Sequence, residues 1–173
     1  MAFVRLLARL ALVVALAAGV GTATAQPRAA GDPTPAELER GCDGGDMTAC
    51  DRLGLVYHRA GGFLSTDPQR ALALYTKACE GGHPIACTAL GTMYQRGEGT
   101  SKDAERGQAF HERGMQLMLE QWCDAGHASS CATLGTLYLE GRGGVPRDEA
   151  RAVPLLERGC QAGLAWACSR LKR

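Results

Sequence analysis

Cysteine carries most of the reactive potential in this chain, and its spacing is regular. Cys42 and Cys50, Cys79 and Cys87, Cys123 and Cys131, and Cys160 and Cys168 all fit C-x7-C, with first cysteines 37, 44 and 37 residues apart. Paired cysteines serve metal binding, thiol–disulfide redox chemistry or structural bridging. Redox sites favour C-x-x-C and zinc sites use short clustered spacings. Neither occurs, so no metal, cofactor or redox centre is read from the cysteines. The first residues favour bridging: Arg5 and Arg9 flank an apolar run from Leu6 to Val20, and Ala23-Thr24-Ala25 offers a small-x-small cleavage site. This reads as a secretory signal peptide over residues 1–25, too short and too charged for a spanning helix. Exported cysteines persist as disulfides. Four equal local spacings then favour nearest-neighbour pairs, each closing a short loop for roughly 2 to 3 kcal/mol.

Other reactive side chains are sparse. His83 and His127 share a position four residues after the first cysteine of their pairs, where Asp46 and Leu164 stand in the other two. One unit apart, they read as helix starts rather than a converging site. His58 and His111 have no acidic or nucleophilic partner at a useful spacing. His111, Met115 and Met118 fall at i, i+4 and i+7 on one helix face. Such a set suits Cu(I), but a methionine stripe of this kind reads first as core.

The elements that position these residues follow from the same period. Gly45, Gly82, Gly126 and Gly163 stand three after each first cysteine, and Leu53, Leu90, Leu134 and Leu171 three after each second one. Gly54-x-x-Tyr57, Gly91-x-x-Tyr94 and Gly135-x-x-Tyr138 continue the frame. The recurring Gly after a helical stretch reads as a C-terminal cap, and Leu and Tyr four apart share a helix face. Asp67-Pro68 reads as N-cap and first turn of a second helix. With no alternating apolar run, the expected fold is an all-α solenoid of helix pairs. Units fall near 46–82, 83–126 and 127–163, after a short linker at 26–34, and residues 164–173 form a capping helix, all within one repeat domain over 35–173. The 44-residue spacing adds seven residues to one helix, near two whole turns, and predicts a long helix from about Ser101 to Asp124. Pro154, aligned with Ala73, predicts a kinked or shortened last helix.

The strings YTKACEGGHPIACTALGTMYQRGEG and WCDAGHASSCATLGTLYLEGRG resemble Sel-1-like repeats, relatives of the tetratricopeptide repeat. The paired cysteines make the chain similar to the cysteine-rich bacterial Sel-1-like proteins, the Hcp family. The resemblance implies right-handed stacking of helix pairs, one disulfide within each C-x7-C, and a concave surface for proteins or peptides. It also carries an association with β-lactam binding or weak hydrolysis. A serine enzyme of that kind needs Ser-x-x-Lys with Ser-Asp-Asn and Lys-Thr-Gly elements. Only Ser169-Arg170-Leu171-Lys172 fits the first, at the very end, and the other two elements are missing.

Charge excludes other partner classes. The 19 basic and 18 acidic residues become 17 and 18 once residues 1–25 are removed, a balance with no footprint for nucleic acid or an anionic membrane. No other segment spans a membrane. The expectation is a monomeric, non-catalytic scaffold, periplasmic or secreted, that holds a protein or peptide. On the first helix of each unit, positions one, five and eight after the second cysteine are expected to face away from the Leu and Tyr core: Asp51, Leu55 and His58; Thr88, Thr92 and Gln95; Ala132, Thr136 and Leu139.

Overall fold

The computed structural model describes residues 31–59 and 66–172. The expected signal peptide, most of the linker and the Gly61-Gly62 turn lie outside the described residues. The described residues fold as eight helices and no strand: α1 (Pro35–Asp43), α2 (Met47–His58), α3 (Pro68–Glu80), α4 (Pro84–Arg96), α5 (Ala104–Asp124), α6 (Ala128–Glu140), α7 (Glu149–Gln161) and α8 (Ala165–Leu171). Each helix packs chiefly against its neighbours in sequence, as a solenoid requires.

Two kinds of turn alternate along the chain. The tight turn carries the cysteines. Gly45, Gly82, Gly126 and Gly163 all take positive φ, between 86° and 93°, which is costly for any side chain. After α3, the Gly82 N–H donates to the carbonyl of Cys79 and the His83 N–H to that of Ala78, a double closure of the helix end. His83 is at once the last residue of that closure and the N-cap of α4. The chain thus reverses at once, bringing the two cysteine Cα atoms within 4.6 or 4.7 Å in every pair. All four pairs are disulfides: Cys42–Cys50, Cys79–Cys87, Cys123–Cys131 and Cys160–Cys168.

Each tight turn is also tied to the next unit. Lys77 and Arg158, each two residues before a first cysteine, donate to the carbonyls of Cys42 and Cys123 in the preceding turns. Gln121, in the same frame position, donates to the carbonyl of Gly82.

The wide turn has its own repeated device. The N–H groups of Asp67, Asp103 and Asp148 donate to the carbonyls of Tyr57, Tyr94 and Tyr138. Their carboxylates accept from the N–H of Arg70, Arg106 and Arg151, capping α3, α5 and α7. The same three arginines lie over the three tyrosine rings, 4.4, 4.8 and 5.6 Å from the centroids. One Asp-x-x-Arg motif therefore starts the second helix and clamps it to the first.

The inserted seven residues lengthen α5 to 21 residues without breaking it, as helical phase predicts. The shortening expected at Pro154 does not occur: α7 keeps 13 residues, the length of α3. The cause is position, because Pro154 and Ala150, whose carbonyl loses its partner, both lie on the exposed face where water replaces the bond. The core is one large cluster from Leu38 to Met93 and two smaller ones around α6 to α8.

Candidate binding groove

A cavity of about 580 Å³ opens between α2 and α4. Its walls are helix faces repeating at near-helical intervals: Asp51, Leu55, His58 and Arg59 from the end of α2, and Ile85, Thr88, Ala89, Thr92 and Arg96 along α4. Tyr75 of α3 forms the floor, 2% exposed. Gly54 makes that floor possible, because a Cβ there would lie 2.9 Å from the Tyr75 ring.

The cavity has a polar character at each end and an apolar middle. Asp51 sits deep, its side chain only 15% exposed, and Oδ1 lies 3.9 Å from Nδ1 of His83. Burial pushes its carboxyl above the ordinary value, and the nearby His83 offsets this only in part. The same His83 Nδ1 lies 3.4 Å from the Ala86 N–H, which it caps. Burial, together with the adjacent Asp51, pushes the Tyr75 hydroxyl up to about 12. At the far end, His58 Nε2 and Glu98 Oε2 are 2.7 Å apart, and this hydrogen bond holds the Glu98 carboxyl below its usual value. Arg96 lies 3.6 Å from Glu98, while Arg59 forms no ion pair among the described residues. Leu55 and Ile85, 38% and 59% exposed, line the middle.

The structure divides the nine expected groove residues. Asp51, Leu55, His58, Thr88 and Thr92 converge on the cavity. Gln95 turns toward α5, where its Cγ would lie 2.5 Å from a Cβ on Gly107. Ala132 is not on an open face: it is wholly buried with Leu156 and Ala167. Leu139 packs against the same cluster and its neighbour, and Thr136 donates its hydroxyl to the Ala132 carbonyl. Of the third expected set, Ala132 is therefore covered by α7 and α8, while Thr136 and Leu139 stay partly exposed.

Five lining residues, Arg59, Tyr75, Ile85, Ala89 and Arg96, lie outside the expected set. Arg59 and Arg96 both stand nine after a second cysteine, so extending the frame by one position reaches them. Ile85 shares its position with Trp166, and both are exposed. His58, read as partnerless, pairs with Glu98, a contact 40 residues away that no local spacing reveals. Tyr75 reaches the floor from α3, a second helix, outside the first-helix frame on which the groove expectation rests.

The remaining candidates are dispersed. His83 and His127 both occupy N-cap positions, as expected of helix starts, but only His83 caps with its side chain. His111 packs where a Cβ on Gly91 would fall, while Met115 is 49% exposed, so the stripe is not uniformly core. The Ser169 hydroxyl donates to the Trp166 carbonyl within α8. Among the described residues no group of three or more His, Cys, Asp or Glu is placed to hold a metal, and no helix is long and apolar enough to cross a membrane.

Stacked helix pairs, each joined to the next by a turn-spanning disulfide, define a cysteine-bridged helical-repeat protein. The family model described as Sel1 repeat matches residues 48–83, 84–114 and 128–164, more than half of the chain, and the protein belongs to the Sel1 repeat family. Its fold is similar to that of a Sel1 repeat protein from Oxalobacter formigenes, with 25% identity over 80% of this chain and 47% of that one, at a TM-score of 0.44. A protective antigen of uropathogenic Escherichia coli with an SLR fold matches at 17% identity, covering 79% and 35% of the two chains, TM-score 0.42. Helicobacter pylori cysteine rich protein B matches at 24% identity, covering 82% and 99%, TM-score 0.36. The chain thus spans less than half the length of the first two structures. No curated protein matches it.

Proposed function

We propose that the protein is a non-catalytic binding scaffold that holds a protein or peptide partner in the concave groove between α2 and α4. The observation that carries this reading is the cavity itself: about 580 Å³, walled by two first helices and lined by exposed apolar side chains between charged ends. Ligand sites combine a mostly apolar lining with a few placed polar groups. Family membership supports it, because stacked repeats present extended surfaces made from equivalent positions of successive units. Four disulfides and no free cysteine among the described residues fit export to an oxidising compartment, periplasmic or extracellular, through the signal peptide read at residues 1–25. The scaffold acts as a monomer.

The test is affinity capture from the native cell envelope with the oxidised protein, its Leu55→Arg variant and a control, Gln161→Arg, on the exposed end of α7. A partner retained by the parent and control but lost with Leu55→Arg supports the groove. Equal retention by all three sinks it. Fractionating cells and medium then assigns the compartment.

A further inference from the structure

The polarity of the groove narrows the chemistry of its occupant. Asp51 lies within α2 and Arg59 is the C-cap that ends it, eight residues on, about 12 Å by the rise per helical residue. Between them the wall is Leu55, faced by Ile85 and Ala89 of α4. Asp51 is a partly buried carboxylate, its side chain 15% exposed, for which no hydrogen-bond donor is found among the described residues; the His83 ring stands 3.9 Å away. The Asp51 oxygens reach the open cavity and not a protein donor, so they are available to a ligand, and a carboxyl perturbed by burial inside a cavity marks a candidate contact. The other end has the opposite sign: Arg96 lies 3.6 Å from Glu98, which His58 already engages, and Arg59 forms no ion pair among the described residues.

We propose that the groove binds a short linear peptide with both termini free, its α-ammonium group on Asp51 and its terminal carboxylate on Arg59 and Arg96. This rests on the groove reading above and commits it to a ligand class. Extended chain covers about 3.3 Å per residue, so three or four residues span the distance between the two ends. Small or branched apolar side chains fit the middle, against Leu55 and Ile85. The tetrahedral ammonium supplies the donors Asp51 lacks, and the planar guanidinium groups of Arg59 and Arg96 donate paired hydrogen bonds to a carboxylate.

Calorimetric titration of the full oxidised protein tests this with the tetrapeptide Ala-Leu-Leu-Ala in four forms: free, N-acetylated, C-amidated, and capped at both ends. The free peptide binds, and blocking either terminus weakens it roughly tenfold or more, the scale of one charge-assisted contact. Asp51→Asn abolishes the preference for the free amine while leaving the preference for the free carboxylate. Arg96→Gln does the reverse. Far-ultraviolet circular dichroism and a thermal melt of each variant confirm folding, and Lys102→Gln, outside the lining, retains parent affinity. Binding that ignores the caps, or no binding at millimolar peptide, overturns the proposal. If the peptides fail but an envelope protein is captured in a Leu55-dependent way, the terminus chemistry is wrong and the scaffold reading stands.

Discussion

The space between α2 and α4 and the equivalent space between α6 and α8 are drawn from the same frame, yet one holds a cavity and the other is bridged by side chains. Where α2 and its C-cap carry Asp51 and Arg59, α6 carries Ala132 and Glu140. Where α4 carries Ala89, α8 carries Arg170, whose guanidinium reaches across to Glu140 at 2.6 Å. Ala78 of α3 becomes Gly159 of α7, and a Cβ there would lie 2.5 Å from the Ala132 Cβ, so α6 and α7 approach more closely than a side chain allows. Repetition of the backbone therefore does not repeat the surface. Two small residues and one charge pair turn an open position into a packed one.

The largest test of this contrast is in the core. Leu90, fully buried behind the α4 wall, contributes to the main cluster, and Leu90→Ala is expected to cost about 2 to 5 kcal/mol in denaturant unfolding. Leu139→Ala, in the partly buried equivalent of His58, is expected to cost about 1 to 2 kcal/mol. Equal losses would mean that both ends are equally packed. Next comes Gly159→Val, which forces a side chain into Ala132 and Ala167 and is expected to cost about 1 to 3 kcal/mol by overpacking. An unchanged midpoint would show that α7 and α6 separate freely.

Moving the bridging pair into the open site sharpens the comparison further. Arg59→Glu combined with Ala89→Arg recreates the relation of Glu140 and Arg170 across α2 and α4. The double variant is expected to remain folded, since exposed ion pairs change stability by less than about 1 kcal/mol. Its affinity for the free tetrapeptide is expected to fall roughly tenfold or more, equivalent to about 1.4 kcal/mol. Retained affinity would show that the two sites differ in something other than these side chains.

What the sequence makes legible here is whatever repeats. The cysteine ruler and the Gly after each first cysteine lead to the helix pairs, and the long α5 follows from the helical period. Ala132 and Leu139 were misplaced because a frame position says which way a residue points, not what stands opposite. Whether the face is open depends on Gly159 and Arg170, which lie in other elements. The three Asp-x-x-Arg clamps were present in the sequence at Asp67, Asp103 and Asp148, but their link to Tyr57, Tyr94 and Tyr138 is a backbone bond across nine or ten residues that no side-chain spacing signals. His58 and Glu98 meet only because consecutive units stack.

The smallest expected effect bears most directly on function. Burial holds the Asp51 carboxyl above its ordinary value in the folded chain, so the folded state binds that proton more tightly than the unfolded state does. The resulting stabilisation is complete below the ordinary carboxylate pKa and is lost as pH rises through the raised folded value. At neutral pH the fold therefore carries a buried charge that works against it. Asp51→Asn keeps the shape and removes the charge, so its melting temperature is expected to exceed the parent's at pH 7 by an amount worth at most about 1 kcal/mol. The two curves should converge near pH ~3, where the parent carboxyl is also neutral. Thermal melts from pH 3 to 8 read this directly. Ala132→Asp, placing the same carboxylate in the packed equivalent, should instead destabilise at every pH, most strongly above neutrality. If Asp51→Asn is no more stable than the parent at pH 7, Asp51 already has its donors within the fold, and its claim on a ligand's ammonium group disappears with the strain that motivated it.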